Sequence, residues 1–111
     1  KIVKRILDEG AISEQISILT FNSTKKSVLN TVNTICGKKL INIGKFNEDE
    51  DVLVWSEISS FKGLENHFII VVECPEAELD PRLKSLYYVS LTRAITDYYI
   101  LCNQNSFLKA M

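Results

Sequence analysis

The sequence predicts an α/β domain in which a mostly parallel sheet is sandwiched between helices. Two observations predict it. Short segments rich in branched apolar residues alternate with segments of helical periodicity, the order that βαβ units impose. At least two of the strand-like segments are apolar without alternation, residues 68–72 (FIIVV) most clearly, as a strand covered on both faces requires. The 111 residues suffice for one core, so one domain is expected over residues 1–111.

Each element has its own local reason. Residues 1–9 carry Ile2, Val3, Ile6 and Leu7 at helical spacing, and Gly10 can end that helix. Residues 15–21 (QISILTF) read as a strand. Ser23 can cap a second helix, whose apolar stripe would be Val28, Leu29, Val32, Ile35 and Cys36, with Gly37 as its stop. Residues 40–43 make a short strand, 44–51 (GKFNEDED) an acidic surface loop, and 52–58 (VLVWSEI) another strand. A turn containing Gly63 fills residues 59–65, ahead of the strand at 68–72, and residues 74–82 form a loop. Asp80 at a cap and Pro81 at the first helical position start a helix carrying Leu83, Leu86, Tyr87, Ser90, Leu91 and Ala94. Residues 98–102 (YYILC) are a last strand, and Phe107 and Leu108 fall on a short final helix. Ligands of such sheets bind at the carboxyl ends of strands. Three segments are expected to leave strands there: residues 22–24, residues 59–65, and the chain from Cys74 onward.

Composition narrows the function. Hydrophobic residues make up 46% and charged residues 24%, the balance of a folded soluble domain. Thirteen basic and 14 acidic side chains give a formal charge of −1, so nucleic-acid contact is expected to be local, shared with another domain, or absent. Cys36, Cys74 and Cys102 are far apart and odd in number, and His67 is the only histidine. That pattern argues against zinc and for reduced core thiols in a cytoplasmic protein. No apolar run approaches the ~20 residues of a membrane span, and no signal peptide opens the chain. An opening Lys1 in place of Met points to a piece of a longer protein.

Two segments carry chemistry. In Ser59-Ser60-Phe61-Lys62-Gly63-Leu64-Glu65, two hydroxyls, a lysine and a glycine share one turn after a strand. Such a turn can present hydroxyls, backbone N–H groups and a positive charge to a phosphate, while Glu65 can accept from a ribose hydroxyl. On spacing alone it reads better as a polar surface turn with Gly63 at positive φ. In the helix expected over residues 83–94, Arg93 falls between Leu86 and Val89 at the edge of the apolar arc. A permanent guanidinium there needs a partner: an internal carboxylate, the helix's own C-terminal carbonyls, or a phosphate from outside.

Ser59-Ser60-Phe61-Lys62-Gly63-Leu64-Glu65 resembles motif V of UvrD/Rep-type superfamily-1 helicases, usually T-h-H-S-x-K-G-L-E with h hydrophobic. Leu86-Tyr87-Tyr88-Val89-Ser90-Leu91-Thr92-Arg93-Ala94 resembles their motif VI, usually L-x-Y-V-A-L-T-R-A. The order of the two motifs and the apolar strand between them also match, and residues 15–29 are similar to the strand and helix that open the second RecA-like domain. The resemblance therefore implies a three-layer RecA-like, P-loop NTPase-like fold over nearly the whole chain. It implies that ATP and Mg2+ sit in the intact parent between this domain and an N-terminal RecA-like domain. Arg93 would meet the γ-phosphate as arginine finger, helped into place by Thr92. Glu65 would contact the ribose and Gly63 would allow the close turn. Ser59, Ser60 and Lys62 would touch single-stranded DNA. No membrane is involved.

The chain also departs from the pattern. Glu57 and Ser59 stand where the family usually has Thr and His, and Ile95 and Thr96 replace charged residues after the arginine. The large subdomain usually inserted before motif V has only residues 44–51 in its place. No G-x-x-x-x-G-K-[ST] occurs, so the fragment alone is expected not to hydrolyse ATP. The alternative is a helicase-like module that binds protein or nucleic acid without catalysis.

Overall fold

The computed structural model describes residues 2–21, 27–45, 51–61, 63–73 and 81–100. The expected strand end at Cys102 and the expected final helix at Phe107 and Leu108 lie outside them, as do Asn22 to Lys26, Lys62, Cys74 and Asp80. The chain is a small α/β domain with a six-stranded, mostly parallel sheet. The strands are β1 (Ile16–Thr20), β2 (Thr34–Ile35), β3 (Lys38–Asn42), β4 (Val52–Glu57), β5 (Asn66–Val72) and β6 (Ala94–Ile100). They lie in the order β2-β3-β4-β1-β5-β6, and every pair is parallel except β2 with β3.

β1 is the axis of the sheet. Ile18 opposes Trp55 on one side and Ile70 on the other, and all five residues of β1 are buried. A strand hydrogen-bonded on both edges and covered on both faces has no place for a solvated side chain, so its three apolar residues are buried and its two hydroxyls, Ser17 and Thr20, are engaged inside by Asn66 and Glu73. Alternation sorts the core into two halves. Ile16, Ile18, Leu53, Trp55, Ile70 and Val72 pack on one face with Val3 and Ile6 of α1 (Ile2–Asp8). Leu19, Ile69 and Val71 pack on the other with Ile58, Phe61 and the half-buried Val89 of α2 (Pro81–Leu91). Each such side chain contributes about 1.5–3 kcal/mol when fully buried.

α1 ends as its sequence predicts. Gly10 takes φ +107, and Gly10 and Ala11 donate backbone bonds of 3.1 and 3.3 Å to the carbonyls of Leu7 and Ile6. α2 begins at Pro81, also as expected, but stops at Leu91 rather than running to Ala94. Thr92 donates its hydroxyl to Val89 O (2.8 Å), and Arg93 N closes a tighter bond to Ser90 O (3.1 Å). The β-branched pair Ile95-Thr96 and the tyrosines after it then favour a strand, so β6 starts four residues before the expected Tyr98. Buried Ser90 finds its partner in the hydroxyl of Tyr98 at 3.0 Å.

The helix expected from Ser23 to Gly37 is corrected. Its described part is a 3-10 turn over Val28–Thr31, capped by Ser27, whose Oγ accepts from Leu29 N at 3.1 Å; a β2–β3 hairpin follows. Cys36 and Gly37 have φ of 52° and 79° and form the two-residue loop between the paired Ile35 and Lys38. Two consecutive left-handed residues are what a type I′ hairpin demands, and the β-branched Thr31, Val32, Thr34 and Ile35 favour extended chain over helix. Leu29 and Ile35 still reach the core, so the apolar stripe was real but its period was misleading. Cys36 is correspondingly exposed at the hairpin tip, not a core thiol.

At the carboxyl edge of the sheet, Glu73 is buried at φ +60. Its carboxylate accepts from Thr20 Oγ1 (2.9 Å), Ser27 Oγ and Val28 N (3.3 Å). One carboxylate thus ties the ends of β1 and β5 to the segment that leads into the hairpin. Nothing in the local pattern around residue 73 predicts this node, because its partners are 45–53 positions away.

Two outcomes are expected in urea denaturation. Gly37→Val puts a branched side chain at φ +79 and lowers stability by about 1–2 kcal/mol through the midpoint, with the slope unchanged; an unmoved midpoint contradicts the turn assignment. Glu73→Ala strands two hydroxyls and an N–H in the interior and costs roughly 1–3 kcal/mol, with Glu73→Gln in between. Wild-type stability in Glu73→Ala contradicts the node.

Candidate functional site

β4 and β5 both run parallel to β1, so the chain between them has to return from the carboxyl edge of the sheet to the amino edge. It does so in residues 58–65, where the described residues form a single 3-10 turn and no α-helix. Ile58 N bonds to Thr20 O (3.2 Å), Phe61 N to Ile58 O (3.1 Å) and Leu64 N to Phe61 O (3.0 Å). Ile58 and Phe61 are buried in the second core half, which pins the crossing to the sheet.

This crossing separates the expected site residues. Ser59 and Ser60 are exposed in the 3-10 turn Ser59–Phe61 just past the carboxyl end of β4. Gly63, Leu64 and Glu65 are exposed just before the amino end of β5. Gly63 sits at φ +85 with open space around its missing Cβ, so its role here is backbone conformation rather than close approach. Lys62 lies outside the described residues. The two groups are roughly one strand apart, about 17 Å for the five residues of β1.

Arg93 joins the second group. It stands past the end of α2, in the two-residue turn before β6, and not on the helix between Leu86 and Val89 as expected. Its backbone carbonyl accepts from Asn66 N at 3.0 Å. Its guanidinium is half-exposed and donates from Nη1 to Leu64 O (3.3 Å), and from Nη2 and Nε to Thr92 Oγ1 (3.0 and 3.3 Å). Thr92 Oγ1 in turn donates to Val89 O. Among the described residues Arg93 forms no ion pair; the pair found there is Lys38 with Asp51. Both of its acceptors, Leu64 O and Thr92 Oγ1, are neutral, and the internal-carboxylate partner that the sequence left open is not among the described residues.

The expectation that the site gathers at strand carboxyl ends is therefore corrected for half of it. Arg93, Thr92, Glu65 and Gly63 cluster at the amino edge, where Asn66 opposes Ala94. The cause is the short link between α2 and β6: a helix that descends the whole sheet delivers its last residues to the edge where the next parallel strand begins.

Beside this cluster a cavity of about 470 Å³ opens, within the usual range for small-molecule sites. Val52, Val54 and Phe61 floor it, and Glu14, Glu65 and Asn66 stand at its polar side. Ser13, also lining it, donates to Asp51. The hydrogen bonds from Lys38 and then Ser13 hold the Asp51 carboxyl below its usual range. Exposed Leu64, Leu91 and Ile95 border Arg93 in sequence or contact, so the amino edge presents apolar surface around a cation.

The sequence reading passed over Asn66 and Ser17. Asn66 Nδ2 donates to Glu14 O and to Ser17 Oγ, both at 2.9 Å. The available signal was a carboxamide opening an otherwise apolar strand directly after Glu65. Among the described residues no helix is long and apolar enough to cross a membrane. No protein-family model and no curated protein matches the chain, so its function has to be argued from these residues and their geometry.

Proposed function

We propose that the chain is the second, RecA-like motor domain of a UvrD/Rep-like superfamily-1 DNA helicase, working with an N-terminal RecA-like domain that carries Walker A. The observation that carries the reading is Arg93: a guanidinium held at a sheet edge by neutral acceptors, next to Leu64-Glu65, with no carboxylate among the described residues neutralising it. A cation so placed has its electrostatic demand unmet and suits a phosphate presented from outside.

ATP and Mg2+, bound chiefly by the companion domain, would supply the phosphoryl group. Arg93 donates to the γ-phosphate oxygens and stabilises the charge that develops there, an effect worth ~10³–10⁵ in rate for arginine fingers. Glu65 accepts from ribose hydroxyls, and Thr92 orients the arginine through the bonds it already makes. Ser59 and Ser60 contact the single-stranded DNA backbone at the opposite edge, and Lys62 is assigned to the same ligand by the resemblance alone. Ile58 and Phe61, buried along the crossing between the two ends, offer a mechanical link through which closing on the nucleotide would displace the DNA contacts. The exposed apolar residues near Arg93 suit contact with the companion domain.

One observation favours the non-catalytic alternative. Glu57, at the end of β4, places a carboxylate two residues before Ser59 on the edge assigned to DNA. That reading requires that no Walker A domain accompany this one.

In a protein that joins this chain to its Walker A domain, Arg93→Ala is expected to lower DNA-stimulated ATP turnover by ~10³–10⁵ with the circular dichroism spectrum retained. Arg93→Lys recovers little, because a point charge does not replace the planar fork. Turnover at the wild-type rate in Arg93→Ala removes the arginine from the site.

A further inference from the structure

We infer that Asn66 is the positioning residue of this site, fixing the distance between Glu65 and Arg93; the inference rests on the reading of Arg93 given above. Asn66 lies between the two groups in a literal sense. It follows Glu65 in the chain, and its backbone N–H holds the carbonyl of Arg93 at 3.0 Å. Leu64, two residues earlier, offers the carbonyl that receives Arg93 Nη1. The segment 64–66 therefore holds the arginine at both its backbone and its guanidinium.

That grip is only as firm as the start of β5, and the ladder is weak there. Asn66 opposes Ala94 but Phe68 opposes Asp97, so β6 carries an extra residue at this point and the regular pairing with β5 is interrupted. His67 Nδ1 bonds to Thr96 Oγ1 (3.2 Å) across the irregularity. What fixes the start of β5 is the Asn66 carboxamide. Both hydrogens of Nδ2 are used, on Glu14 O before β1 and on Ser17 Oγ within it, and Oδ1 accepts from His67 N at 2.8 Å. The N–H of His67 also settles which end of the amide is oxygen. No other side chain of this size supplies two donors and an acceptor: leucine supplies none, and aspartate cannot donate to the Glu14 carbonyl. The clamp anchors the segment that carries Leu64 O, one of the arginine's two acceptors, to β1, the most deeply buried strand.

The test has two arms. In the 111-residue chain, the NMR resonance of the Arg93 Nη1–H group, which donates to Leu64 O, reports that contact directly. Asn66→Ala is expected to move it toward the position of free arginine and to speed its exchange with water. Asn42→Ala, which deletes a carboxamide that caps Gly44 elsewhere, leaves it in place. Ser17→Ala removes one arm of the clamp and gives a smaller shift of the same sign, which keeps the test intact should Asn66→Ala fail to fold. In the ATPase, Asn66→Ala is expected to lower kcat by on the order of 10²-fold, the scale of a misplaced catalytic group, with KM for ATP unchanged. An Arg93 resonance unmoved by both Asn66→Ala and Ser17→Ala overturns the inference, whatever the turnover. Wild-type turnover in Arg93→Ala overturns the functional reading instead, and the resonance still decides whether the clamp exists.

Discussion

Two strands parallel to the same neighbour cannot be joined by a hairpin; the chain between them has to travel the full height of the sheet. In this domain the rule applies to β4 and β5, and the return path of residues 58–65 is the constraint on which the candidate site depends. Because no α-helix makes the return among the described residues, it is short, and buried Ile58 and Phe61 hold it against the sheet. The exposed residues are left at its two ends. Hydroxyls emerge at the carboxyl edge and a carboxylate at the amino edge, and their separation is set by strand length rather than by any direct interaction between them.

The electrostatics of the amino edge follow from how α2 ends. Had the helix continued through Ala94, Arg93 would have shared the apolar arc with Val89. Termination at Leu91 instead puts it in a turn, where Thr92 Oγ1 and Leu64 O hold it without cancelling its charge. Neutral acceptors orient a guanidinium while leaving its field available, whereas a carboxylate would have consumed it. The carboxyl edge works differently. Its buried carboxylate, Glu73, is engaged by hydroxyls and an N–H from the surrounding chain and serves to hold β1, β5 and the segment after β1 together.

Much of the fold was legible because its signals are local. The core strands β1, β4 and β5, the Gly10 stop and the Pro81 start each rest on a few adjacent residues, and each is found within a residue or two of where the pattern puts it. The second helix failed for a physical reason: spacing i, i+1, i+4, i+7, i+8 at Val28 to Cys36 satisfies a helix, but Cys36-Gly37 satisfies a type I′ turn, and β-branched neighbours decide for the turn. The candidate site was legible residue by residue and not as geometry. That Glu65 and Arg93 share an edge, and that Ser59 and Ser60 are on the other one, depends on where α2 stops and on the direction of the crossing. Asn66 and Glu73 act through partners about 50 positions distant, which no local pattern encodes.

The central claim is that Arg93 meets a nucleotide phosphate presented by a companion domain. A structure of the two-domain protein with a non-hydrolysable ATP analogue tests it most directly. The guanidinium is expected within charge-assisted hydrogen-bonding distance of γ-phosphate oxygens, about 2.7–2.9 Å, with Glu65 on the ribose. Arg93 still bonded only to Leu64 O and Thr92 Oγ1, with the nucleotide seated away from the amino edge, would contradict it.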